Sequence, residues 1–354
     1  MSNLHSIRYV VLLICLLALT ERSFAQKQPV DYVDPYIGNI SHLLVPTYPT
    51  VHLPNSLLRV YPNRTDFTGD LLKGLPVVVT SHRGSPAFAI SPFQGNEKEL
   101  KPVISYSYDQ EKITPYSYSV YLDALQIQVR FGVSHQSALY EFGFNPDQQG
   151  WVVVNSGNGE LKWDGKALSG YQTVENNTHV FIYLKPDQAP ENVSVLKDNS
   201  LQVGSTANGK NAALALQFKK GTRTLNVRYG ISFIDEAQAQ KNLVREVAGK
   251  DLNALYETGR KLWNEGLSRI SVTGKSESDK TTFYTALYRT FERPVCISED
   301  GRYYSAFDQK VHSDNGTPFF TDDWVWDTYR AHHPLRILLN PKQEEHILRS
   351  EEHT

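Results

Sequence analysis

The run Asp322-Asp323-Trp324-Val325-Trp326-Asp327-Thr328-Tyr329-Arg330 concentrates the chemistry of this 354-residue chain. Asp323 and Asp327 stand four residues apart, which places their carboxylates on one face of a helix with Trp324 and Trp326 beside them. A carboxylate accepts hydrogen bonds from vicinal hydroxyls, and an indole face covers the C–H side of a saturated ring, so the pair suits a sugar. The same run also reads as plain structure, with an aspartate capping the helix and the tryptophans in a core. Asp322 is expected to be that cap. Arg330 either orients Asp327, reaches a hydroxyl, or makes an ordinary salt bridge. His332 and His333 are adjacent, ~100° apart around a helix, and cannot share an ion. No His-x-x-x-His, Cys-x-x-Cys or Asp-x-Asp-x-Asp-Gly pattern occurs, so no autonomous metal site is expected. Gly157-x-Gly159 has no helix after it and reads as a turn rather than a nucleotide loop. Cys296 reads as a small apolar residue, not a nucleophile.

Composition narrows the setting. Lys and Arg number 36 against 38 Asp and Glu, a net charge of −2 that offers nucleic acid no basic face. The 20 Tyr, 15 Phe and 5 Trp suit strands and stacking surfaces. Residues 1–25 have the form of a secretory signal: Arg8, an apolar run over 9–19, and Ser23-Phe24-Ala25 before the cut. The run is too short to span a bilayer, which needs ~20 residues. Removal of the signal leaves Cys296 as the one thiol, so the exported chain is expected to be free of internal disulfides and of a membrane anchor.

The elements that must position these residues change character along the chain. From 31 to 233, runs rich in Val, Tyr, Phe and Ile alternate with Gly, Asn, Asp and Pro clusters; examples are 75–80, 117–122, 125–133, 137–144, 150–155 and 179–184. Period-two alternation without crossover helices predicts an antiparallel β-sandwich. Helical periods then predict helices over 235–249, 251–267, 278–291 and from 321 or 322 to 338 or 339, with Asp251 as an N-cap. The organisation is α+β and multidomain: signal 1–25, sandwich 26–233, helical linker 234–269, and the opening of an α-helical domain over 270–348. Residues 349–354 read as a translated sequencing adapter, and the helical domain is expected to continue in a part not present. Leu287, Phe291, Leu335 and Leu338 are then expected to be less buried than their character suggests.

Three segments resemble glycoside hydrolase family 92, the calcium-dependent exo-α-mannosidases. They are Val33-Asp34-Pro35-Tyr36-Ile37-Gly38, then Phe283-Tyr284-Thr285-Ala286-Leu287-Tyr288-Arg289-Thr290, then residues 322–330 followed by His333-Pro334-Leu335. The resemblance implies an N-terminal β-sandwich, a helical linker and the start of a truncated (α/α)6 barrel. It implies an exported enzyme that removes terminal α-linked mannose from glycoprotein glycans with inversion, assisted by Ca2+. The catalytic acid, base and calcium ligands are expected beyond residue 348, so no catalytic residue or metal ligand is assigned here. Trp326 and Asp327 are expected to line the mannose pocket, with Asp323, Arg330 and His42 as further substrate contacts. Loops near His42 and 81–84 are expected to approach from the sandwich side, and both depart from the family's usual wording. Expected partners are mannose-containing glycans, with no nucleic acid and no membrane. Two other readings stay open: a non-catalytic carbohydrate-binding protein, and another sandwich-plus-barrel enzyme such as a disaccharide phosphorylase or a polysaccharide lyase.

Overall fold

Buried and half-buried side chains alternate along residues 117–122 and 127–131, as the period-two pattern predicts, and each such run is a strand with one face inward. The computed structural model describes residues 27–40, 47–64, 69–80 and 86–351. The signal, His42 and the 81–84 loop lie outside the described residues.

Two short strands, β1 (Val51–His52) and β2 (Arg59–Val60), pair with each other. A 14-stranded antiparallel sheet follows. It begins with β3 (Leu71–Lys73), β4 (Leu75–Val79), β5 (Pro86–Gln94), β6 (Ser105–Thr114), β7 (Ser117–Leu122), β8 (Ile127–Val133) and β9 (Ser137–Gly143). It continues with β10 (Gly150–Trp163), β11 (Leu168–Thr173), β12 (His179–Pro186), β13 (Asn192–Lys197), β14 (Ser200–Val203), β15 (Thr206–Gln217) and β16 (Thr224–Ser232).

The sheet forks at β10. Residues 150–155 pair with β5, residues 159–163 pair with β11, and β15 runs along the other edge. The fork folds the sheet into two facing layers: Tyr140 of β9 and Tyr229 of β16 each donate a 2.8 Å hydrogen bond across to β4, to the carbonyls of Pro76 and Val77. Backbone amides orphaned where the strands part are met by one side chain, since Gln172 Oε1 accepts from Phe88 N at 2.7 Å and Gly157 N at 2.9 Å. Gly157 and Gly159 therefore lie inside a strand and not in a turn. The glycines serve close approach: a methyl on Gly159 would overlap the Tyr171 carbonyl oxygen, and one on Gly170 the Glu160 carbonyl oxygen.

Helix α1 (Glu236–Glu246) begins where Asp235 accepts from Gln238 N at 2.6 Å. Helix α2 (Leu252–Leu267) begins likewise at Asp251, accepting from Ala254 N at 2.8 Å, and α3 (Glu277–Arg289) at Ser276. Trp263 of α2 is fully buried, and its indole N–H donates to the His52 carbonyl at 2.8 Å, seaming helix to sandwich. Leu287 is buried too, in the same core as Tyr284, Tyr288 and Trp263, contrary to the exposure expected of it. Its partners come from within this chain. Leu338 is 81% exposed, in line with expectation, while Phe291 and Leu335 are half-buried.

Residues 295–321, between the expected helices, form short strands: β17 (Val295–Cys296) pairs with β20 (Phe320–Thr321), and β18 (Arg302–Ser305) with β19 (Lys310–Ser313). The single helix expected from 321 or 322 to 338 or 339 is instead α4 (Val325–Thr328) and α5 (His332–Leu339), followed by α6 (Pro341–Glu351). Pro334 explains the break. In a continuous helix its ring would strike the Arg330 carbonyl, whereas in the first turn of α5 it is tolerated. Helix α6 runs through Glu351, and the buried Ser350 accepts through Oγ from Phe320 N at 3.0 Å. Among the described residues no helix is long and apolar enough to cross a membrane.

Where β16 hands over to α1, Glu299 is fully buried and accepts from Phe233 N at 2.9 Å and Asn242 Nδ2 at 2.6 Å. Burial pushes its carboxyl up from 4.5 to about 7. Between those values the folded chain holds a proton that the unfolded chain has lost, so this contribution to stability is full below about pH 4.5 and lost as pH rises through 7. At ~1.4 kcal/mol per unit the loss is about 3 kcal/mol. Thermal unfolding of the chain should show it as a fall in stability from pH 5 to 8 that is missing from Glu299→Gln. An unchanged slope in the variant would mean that Glu299 is not the group responsible.

Candidate functional site

The chain enters residues 322–330 from β20 and turns at once, with Asp322 in the left-handed region at φ 65°. Asp322 is not the helix cap. Its Oδ2 lies 3.0 Å from Arg59 Nη2, pinning the start of the run to β2 on the sandwich side. Trp324 occupies the N-cap position of α4 and provides no side-chain cap.

Asp323 and Asp327 do not share a helix face, because Asp323 precedes α4. The Asp323 side chain is 1% exposed, and both its oxygens are engaged. Oδ1 accepts from Thr328 Oγ1 at 2.9 Å and Oδ2 from Arg336 Nη2 at 2.8 Å, with His333 Nε2 at 3.5 Å. Burial pushes its carboxyl up, but the Arg336 guanidinium outweighs burial and holds it below the usual range. Both oxygens of this buried carboxylate are thus held by neighbours within the fold.

Asp327 is the contrast. It is exposed, and among the described residues no side chain pairs with its carboxylate. Arg330 does not take it: Arg330 Nε donates to Tyr329 Oη at 2.7 Å, and its guanidinium lies over the Tyr329 ring, 5.4 Å from the centroid. Trp326 is 71% exposed and meets Trp324 edge to face at 6.5 Å, so neither indole is in a core. The turn thus presents one free carboxylate beside an uncovered indole.

A cleft of about 460 Å³ opens next to this turn, between the sandwich and the 295–321 strands. Arg59, Thr80 and Glu175 line one side; Tyr304, Phe307 and Asp322 line the other. Trp326 and Asp327 are not among the cleft's lining residues. The spacing of the sequence gave no sign of three participants, Arg59, Arg336 and Glu344. Arg59 and Asp322 lie 263 positions apart in the chain, and Arg336 and Glu344 pair across a helix break, where no i,i+4 rule applies. The visible clue to Arg336 was a charge inside the apolar run Leu335 to Leu339. His333 is buried at the start of α5 against Glu344. Cys296 is part-buried with its thiol pushed up by burial, away from nucleophilic thiolate.

Residues 32–232 match the glycosyl hydrolase family 92 N-terminal domain, and residues 238–353 match the glycosyl hydrolase family 92 catalytic domain. Among solved structures, a family GH92 inverting mannosidase from Bacteroides thetaiotaomicron superposes with a TM-score of 0.82 at 28% identity, over 93% of this chain and 48% of that one. A family GH92 α-mannosidase from the same organism superposes with a TM-score of 0.83 at 21% identity, over 92% and 49%. A protein of Arthroderma benhamiae described as an uncharacterized secreted glycosidase is 34% identical over 90 residues, 23% of this chain and 12% of that protein. The chain spans about half the length of the solved structures it matches. With both family domains matched in order across its strands and helices, the chain belongs to glycosyl hydrolase family 92.

Proposed function

We propose that this chain is part of an exported glycoside hydrolase that removes terminal α-linked mannose from glycoprotein glycans with inversion. The observation that carries the reading is the free Asp327 carboxylate beside the exposed Trp326, within a chain 28% identical to an inverting mannosidase over 93% of its length. Asp327 would accept hydrogen bonds from two vicinal hydroxyls of the terminal sugar while the Trp326 ring covers its C–H face. Export rests on the form of residues 1–25 and on the secreted relative. The helices from α3 onward would open an (α/α)6 barrel.

Calcium would be held by other residues. Among the described residues no group of three or more His, Cys, Asp or Glu could hold a metal ion.

The complete protein should release free mannose from an α-linked mannobiose, with the β-anomer seen first by NMR. Release that requires phosphate would mark a phosphorylase, and binding without release a carbohydrate-binding protein. Residues 27–351 alone are expected to leave an aryl α-mannoside intact. Inversion needs two carboxyls about 6.5–9.5 Å apart around one bond, and the turn offers one. Hydrolysis by that purified chain, abolished by a chelator, would overturn the assignment of acid and base to other residues.

A further inference from the structure

Helix α4 has four residues, none of them buried, and no side-chain cap. An isolated turn of that length does not hold itself in water. Something else fixes Trp326 and Asp327.

Beneath the turn, two carboxylates are bridged by Arg336, and His333 lies between them. Arg336 donates through Nε to Glu344 Oε2 at 2.7 Å and through Nη2 to Asp323 Oδ2 at 2.8 Å. His333 places Nδ1 on Glu344 Oε1 and Nε2 3.5 Å from Asp323 Oδ2. The Asp323 and Glu344 side chains are each 1% exposed, and those of His333 and Arg336 are 8% and 11%. Asp323 then reaches past the helix to accept from Thr328 Oγ1, so one carboxylate is tied to both ends of α4. A buried cluster of this kind is a poor way to add stability, because apolar residues of like volume do as well or better. It is a good way to fix one geometry.

We propose that Glu344, Arg336, His333 and Asp323 are positioning residues that hold the Trp326–Asp327 turn in its ligand-receiving form, Glu344 of α6 being the far anchor. The functional consequence rests on the sugar reading above. The mechanical claim does not.

The test compares the complete protein with Glu344→Gln and with Thr328→Val, the milder variant that removes only the hydroxyl contact. Amide hydrogen exchange at residues 325–329 should quicken at least about tenfold in both variants, while α2 and the sheet keep wild-type protection. Thr328→Ser, which keeps the hydroxyl, should restore it. With an aryl α-mannoside, KM should rise about tenfold in Thr328→Val, with the melting temperature little changed. Unchanged exchange at 325–329 in a folded variant overturns the proposal, as does a lowered melting temperature with wild-type KM and exchange. Faster exchange in a protein whose wild type shows no mannosidase activity upholds the positioning role and sinks the sugar reading alone.

Discussion

Asp327→Ala in the complete protein is expected to lower kcat/KM for an aryl α-mannoside by about a hundredfold to ten-thousandfold. Hydrogen bonds to a charged group contribute ~1.5–3 kcal/mol each, and a carboxylate gripping two vicinal hydroxyls makes two of them. At ~1.4 kcal/mol per factor of ten, two such bonds cover that range. The same substitution should leave folding alone. Asp327 is exposed and unpaired among the described residues, so its removal strands no buried partner and should shift stability by less than ~0.5 kcal/mol. Loss of rate without loss of fold is the signature of a ligand contact. Asp323→Ala should behave in the opposite sense, because it strips the buried Arg336 of one of its two carboxylate partners and so lowers stability. Wild-type kcat/KM in Asp327→Ala would remove the residue from the substrate pocket and leave the sugar reading with Trp326 alone.

These two aspartates show where sequence was informative and where it was not. The caps at Asp235 and Asp251 and the alternation over residues 117–122 and 127–131 are local signals, and the structure carries them through. Equating Asp323 with Asp327 required the helix to begin by Asp322, whereas the chain turns there at φ 65° and Trp324 takes the N-cap position. The later break between α4 and α5 did have a signal in the sequence, since Pro334 would have to sit within a helix running to 338 or 339. Other features had no local trace. Asp322 meets Arg59 from 263 positions away in the chain, and Leu287 of α3 is buried in the same core as Trp263 of α2. Gly157 and Gly159 lie in a strand that exchanges one neighbour for another, and partner exchange leaves no mark on periodicity.

That exchange sets up the second large effect. Gly159→Ala and Gly170→Ala should each destabilise the chain by ~4 kcal/mol or more, which is the upper end for single substitutions. The two glycines lie on facing strands, one register step either side of the Glu160↔Tyr171 pair, and each admits the other strand's carbonyl where a Cβ would have to be. Neither clash can be relieved by rotating a side chain, since the obstacle is backbone. The Tyr171 carbonyl is further committed, accepting from the buried Ser156 hydroxyl at 3.0 Å. Relief would require β11 to move away from β10 where the two layers join. Gln172 would be carried with it, and its side chain satisfies the amides of Phe88 and Gly157 at the fork. The cleft would follow, since Gln172, Thr173 and Val174 form part of its sandwich-side wall. Gly274→Ala is the control: nothing lies near its Cβ position and its backbone is not left-handed, so it should be neutral. Denaturant unfolding that puts Gly159→Ala within ~1 kcal/mol of the control would show that the strands can part there without cost, and that the fork is not what fixes the sandwich wall of the cleft.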